Sequence, residues 1–98
     1  MKHFIDISDF SKKNLDKIVL KAKQIKKNPE KFYNKCKNKT LGMIFQKDST
    51  RTRVSFTVGF QKLGGSALEL NSESIGFGKR ESAEDILKTL AQFIDLLV

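Results

Sequence analysis

The sequence predicts an α/β fold, with a parallel sheet in two or three layers and flanking helices. Short apolar runs that suit buried strands alternate with longer segments whose apolar residues recur at three- and four-residue steps. Residues typical of helix starts and stops separate these segments. The order strand, helix, strand, helix, strand is characteristic of a parallel sheet. The 98 residues allow one small domain, which we assign to residues 1–98.

A helix is predicted before the first strand. Ser11 is a suitable N-cap, and a single apolar stripe follows on a Lys-rich segment. Asn28-Pro29 ends the helix. Residues 30–39 are polar and rich in Lys and Asn, which indicates a surface connection with one further short helical turn at most.

The first strand and the helix after it form the central predicted unit. Residues 40–45 are an apolar run, residues 46–50 a polar loop, and residues 51–63 a helix that Gly64-Gly65 stops. Residues 66–70 are predicted as the second strand. Apolar residues at helical spacing are expected to tie the helix start to a buried core: Val54, Phe56, Val58, Phe60 and Leu63.

A loop, a helix and a third strand complete the chain. Residues 71–80 form the loop, Ser82 with Asp85 resembles a capping box, and residues 94–98 are predicted as a strand. Right-handed crossovers would place both crossover helices on one face unless the strand order reverses between them. Because the last residues read as a buried strand, we expect the sequence to be truncated.

Composition restricts the class of protein. The net charge of +8 comes largely from lysines in residues 12–39, where they are mixed with Asn, Asp and Glu, a pattern more typical of a solvated face than of a docking site. A basic nucleic-acid-binding module is the alternative from another class, although Phe is not arranged as in a base-stacking motif.

The lone Cys36 lies among Lys and Asn, which suggests an exposed loop and a cytosolic protein. No membrane span or signal peptide is found, so we expect a cytoplasmic protein.

The segment Ser49-Thr50-Arg51-Thr52-Arg53 carries the chemistry. It lies between the end of a predicted strand and the start of a helix, where parallel sheets bind ligands and where unpaired N–H groups favour phosphate. Ser and Thr hydroxyls and a guanidinium that can grip two oxygens are concentrated there. Read as residue types alone, an N-cap followed by surface arginines explains the segment equally well.

The same segment resembles the S-T-R-T-R signature of the aspartate and ornithine carbamoyltransferases. Val54-Ser55-Phe56 and Leu63-Gly64-Gly65 are similar to that family's helix and its Gly-terminated end. The opening residues 2–8, Phe45-x-Lys47 and Val58-Gly59 look more like the ornithine branch, and the resemblance runs the length of the chain. It implies the carbamoyl-phosphate-binding domain of the carbamoyltransferase fold, in part, without the ornithine-binding domain.

The resemblance also implies residue roles. Ser49, Thr50, Arg51 and Thr52 would hold the phosphate of carbamoyl phosphate, with Thr52 also near its carbonyl oxygen, and Arg53 would brace the loop. Arg51 and Thr52 are the expected catalytic residues. The reaction would transfer the carbamoyl group to the δ-amine of L-ornithine, giving L-citrulline and phosphate, with no metal or organic cofactor. A homotrimer is the implied assembly.

A second loop, Ser74 to Ser82, is basic but matches neither a Walker A loop nor a dinucleotide fingerprint. In the family the corresponding loop reaches the neighbouring subunit's active site, and Lys79 aligns with a basic position that contacts phosphate. Gly76 stands where ornithine enzymes usually carry Gln, which leaves Lys79 or Arg80 as substitutes. A solvated basic loop is the alternative for both.

The acceptor is less determined than the donor. In this family the acceptor site lies beyond the region that these residues match, so an aspartate carbamoyltransferase domain remains the alternative within the class. The 98 residues alone are expected to bind phosphate or carbamoyl phosphate weakly and to be inactive. His3, the single histidine, is expected to have a surface or packing role.

Overall fold

The computed structural model describes residues 3–47, 49–71 and 82–98. The chain divides into two compact units, Met1–Phe32 and Tyr33–Val98. None of the helices described there is long and apolar enough to cross a membrane.

The first unit is built around helix α1, Lys12–Lys27, with short 3-10 turns at Ile7–Asp9 and Pro29–Phe32. The Ser11 hydroxyl accepts a hydrogen bond from the Asn14 amide at 3.2 Å, so the predicted N-cap is confirmed. The helix ends at Lys27 with Asn28 as its C-cap, directly before Pro29, so the predicted stop at Asn28-Pro29 is confirmed. Upstream, hydrogen bonds from the backbone N–H and the side chain of Ser8 hold the pKa of Asp6 below its usual value.

The second unit is a parallel α/β unit. Strand β1 is Thr40–Phe45, helix α2 Thr50–Lys62, strand β2 Ser66–Asn71, helix α3 Ala83–Leu90 and strand β3 Leu96–Leu97. The predicted bounds of β1, α2 and β2 are correct to within one residue. The Ser82 hydroxyl accepts from the Asp85 amide at 3.1 Å, which confirms the predicted start of α3.

Within the described residues the sheet has three parallel strands in the order β2-β1-β3. Strands β1 and β2 pair from Thr40↔Ser66 to Phe45↔Asn71, and β3 pairs with Leu41 and Gly42 on the other edge of β1. The chain passes from β1 to β2 on one side and then crosses back over β1 to β3 on the other. Right-handed crossovers with this strand order place α2 and α3 on opposite faces, which favours the three-layer alternative.

The core lies between α2 and one face of the sheet. Leu41 and Met43 are 3% and 1% exposed and form a cluster with Phe60 of α2. Alternation along β1 turns Gly42 to the other face, where a Cβ atom would lie 2.7 Å from the Cδ1 atom of Ile94.

The turn after α2 requires glycine twice. Gly64 has a φ of +91°, and a Cβ on it would lie 2.5 Å from the carbonyl oxygen of Tyr33. A Cβ on Gly65 would collide with the ring of Phe60. The glycine pair predicted to stop α2 thus also allows the close approach of α2 and β2.

Two expectations about burial are wrong. Val54, Phe56 and Val58 are 55%, 42% and 41% exposed, so only Phe60 of the predicted apolar set is fully buried. A helix with apolar residues on several sides can bury only the side that meets the sheet, and spacing did not identify it. Cys36 is half-buried and packs against the core cluster instead of lying in an exposed loop, because its amide donates to the Leu63 carbonyl at 2.8 Å.

Candidate functional site

The candidate site is the amino terminus of α2, which follows the carboxyl end of β1. β1 is the central strand, and both of its neighbours run parallel to it, so the carboxyl ends of the strands meet at one edge. In doubly wound sheets that contain the strand order 2-1-3, ligands bind at this edge near the first strand. The tertiary structure thus brings the S-T-R-T-R segment to the edge where the sequence predicted it.

Ser49 is the N-cap of α2, but its hydroxyl makes no capping hydrogen bond. Its carbonyl oxygen accepts from the Arg53 amide at 2.9 Å, which begins the helical ladder. The amides of Thr50, Arg51 and Thr52 precede that ladder and have no intrahelical acceptor. The first turn therefore offers three backbone N–H groups and the half-buried Ser49 hydroxyl, an arrangement suited to an oxyanion.

Thr50, Arg51 and Thr52 are all exposed. Across the described ranges 3–47, 49–71 and 82–98, no carboxylate forms an ion pair with Arg51. The Thr52 carbonyl accepts a hydrogen bond from the Ser55 hydroxyl at 3.0 Å, a contact inside the helix that leaves the Thr52 side chain unaffected. Three of the four side chains predicted to bind phosphate in this segment are thus open to solvent, and the fourth, Ser49, is half-buried.

Arg53 behaves differently from Arg51. Its Nε lies 2.6 Å and 3.1 Å from the two carboxylate oxygens of Glu69 on β2, and both side chains are about 40% exposed. Arg53 therefore links the first turn of α2 to the sheet, in accord with the bracing role that the sequence suggested. The pair borders a shallow groove of about 250 Å³ lined by Thr50, Arg53, Val54, Thr57, Val58 and Glu69.

Sequence reasoning missed Glu69. A signal was present, because Glu69 is a charged residue between Leu68 and Leu70 in a predicted strand of a parallel sheet. Helices cover the faces of parallel sheets, so a charged side chain on such a strand can pair with a residue of a covering helix.

Lys79, Gly76 and Arg80 lie outside the described residues, as does Asp48 within the first loop. The role predicted for Lys79 therefore stays a prediction. In the part of the chain that the structure describes, no three His, Cys, Asp or Glu side chains gather as metal ligands do.

Comparison with known proteins identifies the family. Residues 2–98 match the family described as aspartate/ornithine carbamoyltransferase, carbamoyl-P binding domain. The chain belongs to the aspartate/ornithine carbamoyltransferase family. This agrees with the resemblance carried by the S-T-R-T-R segment and its flanks, and it identifies the chain as a carbamoyl-phosphate-binding domain of that family.

Individual relatives match over nearly the whole chain. An ornithine carbamoyltransferase of Hydrogenovibrio crunogenus is 41% identical over 97 residues, which are 97% of this chain and 32% of the relative. The chain spans about a third of the length of the curated carbamoyltransferases it matches.

Solved structures of the family share the fold. The anabolic ornithine carbamoyltransferase of Campylobacter jejuni superposes with a TM-score of 0.90 at 37% identity, covering 99% of this chain and 31% of that one. A mutant N-acetyl-L-ornithine transcarbamylase, solved with carbamyl phosphate and N-succinyl-L-norvaline, has a TM-score of 0.88 at 28% identity, covering 99% of this chain and 32% of that one. The predicted α/β carbamoyltransferase fold is confirmed.

Proposed function

We propose that this chain is the carbamoyl-phosphate-binding domain of an ornithine carbamoyltransferase. The supporting observation is that the S-T-R-T-R segment begins α2 at the carboxyl end of β1, with the amides of residues 50–52 and the Ser49 hydroxyl outside the helical hydrogen-bond ladder. The acceptor assignment is supported by relatives named ornithine carbamoyltransferase at 34–42% identity.

In this proposal the first turn of α2 binds the phosphate. The amides of residues 50–52 and the hydroxyls of Ser49 and Thr50 donate to phosphate oxygens, and Arg51 contributes a charged donor that can grip two oxygens at once. Thr52 lies nearer the carbamoyl carbonyl oxygen. Lys79 adds a further cation at the phosphate, delivered to a neighbouring subunit in a homotrimer.

The reaction forms one bond and breaks one. The neutral δ-amine nitrogen of L-ornithine attacks the carbamoyl carbon, the bond from that carbon to the bridging oxygen breaks, and phosphate departs with the electron pair. The nitrogen then loses a proton, leaving L-citrulline. Arg51 and Thr52 lower the barrier by stabilising negative charge on the phosphate and on the carbonyl oxygen, and the helix start holds the donor in one orientation.

The lengths of the relatives suggest which binding site this chain supplies. The matched relatives are about three times as long as this chain, so we propose that residues 1–98 supply the donor site and that the ornithine site belongs to the part of the relatives without a counterpart here. We propose a cytoplasmic enzyme, and the chain alone is expected to bind carbamoyl phosphate without turning it over.

The test has a binding arm and a turnover arm. Titration of the 98-residue chain with carbamoyl phosphate, followed by amide chemical shifts, should perturb residues 49–53 first. The longest natural protein that contains this sequence should carbamoylate L-ornithine in preference to L-aspartate and N-acetyl-L-ornithine at equal concentration.

Each arm can contradict a different part of the proposal. Shifts spread over α1 with none at residues 49–53 would refute the phosphate site. Turnover with L-aspartate and none with L-ornithine would refute the acceptor and keep the donor site.

A further inference from the structure

The ion pair of Arg53 with Glu69 lies between the start of α2 and the sheet, where it can hold the helix start in place. Glu69 pairs in register with Met43, whose side chain is buried beneath α2, so both lie on the α2 face of the sheet. Along α2 the residues that meet this face are Phe60 in the core, Thr57 with its hydroxyl 4.0 Å from the Met43 sulfur, and Arg53. Arg53 is the member of this series nearest the helix start.

Apolar packing anchors only the far half of α2. Phe60 is 8% exposed, whereas Val54 and Val58 are 55% and 41% exposed. The ion pair of Arg53 with Glu69 is a contact that joins the first turn of α2 to the sheet. The orientation of that turn therefore depends on a polar contact from β2.

We propose that Glu69 is a positioning residue for carbamoyl phosphate, acting through Arg53 to fix the orientation of Ser49, Thr50, Arg51 and Thr52. This inference rests on the proposed function. A displacement of donors by a fraction of an ångström weakens hydrogen bonds to a bound oxyanion, so a residue that touches no ligand can alter affinity.

Positioning and direct charge repulsion predict opposite changes in carbamoyl phosphate affinity when the Glu69 charge is removed. Glu69 is an anion near an anion-binding site, so direct repulsion would make its removal tighten binding, whereas positioning makes its removal weaken binding. Glu69→Gln is expected to weaken carbamoyl phosphate binding about twofold to fivefold, the range open to a half-exposed ion pair. Glu69→Asp, which keeps the charge, is expected to recover part of the loss.

The matched control is Glu84→Gln. Glu84 pairs with Lys88 on α3 at 3.1 Å, and both are more than 70% exposed, so this variant removes the same charge from an ion pair that does not involve α2. The dissociation constant of the full 98-residue chain for carbamoyl phosphate is measured for both variants, for Arg53→Gln and for the double variant with Glu69→Gln. Glu84→Gln should bind as the unaltered chain does, and the double variant should bind no more weakly than Arg53→Gln.

Equal affinities for Glu69→Gln and Glu84→Gln, or tighter binding by Glu69→Gln, would overturn the inference while leaving the proposed function intact. A second measurement needs no ligand. The Arg53 amide, which donates to the Ser49 carbonyl, should exchange its hydrogen faster in Glu69→Gln than in Glu84→Gln. An unchanged exchange rate would overturn the inference even if the unaltered chain failed to bind carbamoyl phosphate, a result that would itself refute the proposed function.

Discussion

At the scale of single residues, Arg51 and Arg53 are identical side chains in one motif that point in different directions and have different surroundings. Residues two apart on an α-helix point about 200° away from each other. Arg53 faces the sheet and pairs with Glu69, whereas Arg51 is exposed at the helix start. The motif thus contains one exposed arginine, which we propose meets the phosphate, and one that links the helix to β2.

Arg51→Ala is expected to lower the carbamoylation rate by about a hundredfold or more, because a charge-stabilising donor of this kind contributes about 3–4 kcal/mol. The measurement is kcat/KM for carbamoyl phosphate in the longest natural protein that contains the sequence. Lys62→Ala, at the opposite end of α2, serves as control and should leave the rate unchanged. A loss below tenfold in Arg51→Ala would contradict the role of Arg51.

A second residue-scale prediction concerns glycine. Gly64→Ala should lower the free energy of unfolding by about 1–3 kcal/mol, since alanine is strained at positive φ and its Cβ would press on the Tyr33 carbonyl. Gly59→Ala should raise it by about 0.5–1 kcal/mol, because a Cβ there meets nothing within 4 Å and glycine weakens a helix interior. Urea unfolding of both variants measures these changes. Equal unfolding midpoints for Gly64→Ala and Gly59→Ala would contradict the assignment of Gly64 to a turn that requires positive φ.

At the scale of elements, the described α-helices begin alike in sequence and differently in structure. Ser11, Ser49 and Ser82 are all N-caps, and the hydroxyls of Ser11 and Ser82 accept from backbone amides, whereas that of Ser49 does not. A capping hydroxyl stabilises the helix that it begins. A serine without that bond keeps its hydroxyl available for a ligand.

Ser82→Ala should therefore cost about 1 kcal/mol in the free energy of unfolding. Ser49→Ala should lower the free energy of unfolding by only a few tenths of a kcal/mol, because no capping hydrogen bond is lost. It should instead weaken the binding of carbamoyl phosphate. Chemical denaturation and ligand titration on the same two variants test both halves. If Ser49→Ala destabilised as much as Ser82→Ala with unchanged affinity, Ser49 would be an ordinary cap.

At the scale of the whole molecule, the net charge of +8 is less informative than its distribution. A basic surface attracts any polyanion, whereas the start of α2 has the geometry for one small anion. Ligand-linked stability distinguishes these cases, because a ligand that binds only the folded state raises the free energy of unfolding by mass action.

Carbamoyl phosphate at a hundred times its dissociation constant should stabilise the chain by about 2.7 kcal/mol. Thermal unfolding should show the increase in the unaltered chain and lose it in Arg51→Ala. A single-stranded oligonucleotide at equal phosphate concentration serves as control. Stabilisation by the oligonucleotide alone, abolished by salt, would favour the nucleic-acid alternative.

The sequence by itself determined the elements and the place of the candidate site. Caps, glycine stops and apolar runs are local signals, because each depends on the backbone hydrogen bonds or conformation of a few neighbouring residues. The bounds of β1, α2 and β2 and the caps at Ser11 and Ser82 follow from them. The S-T-R-T-R segment could likewise be assigned to a strand-to-helix junction before any tertiary contact was known.

Only the tertiary structure decided the strand order β2-β1-β3, the side of α2 that is buried and the partner of Arg53. These depend on residues far apart in the chain meeting across the sheet. Because apolar residues lie on several sides of α2, their spacing alone could not predict that Phe60 is buried and Val54 exposed. Glu69 became a partner for Arg53 because parallel pairing of β2 with β1 turned its side chain toward the helix.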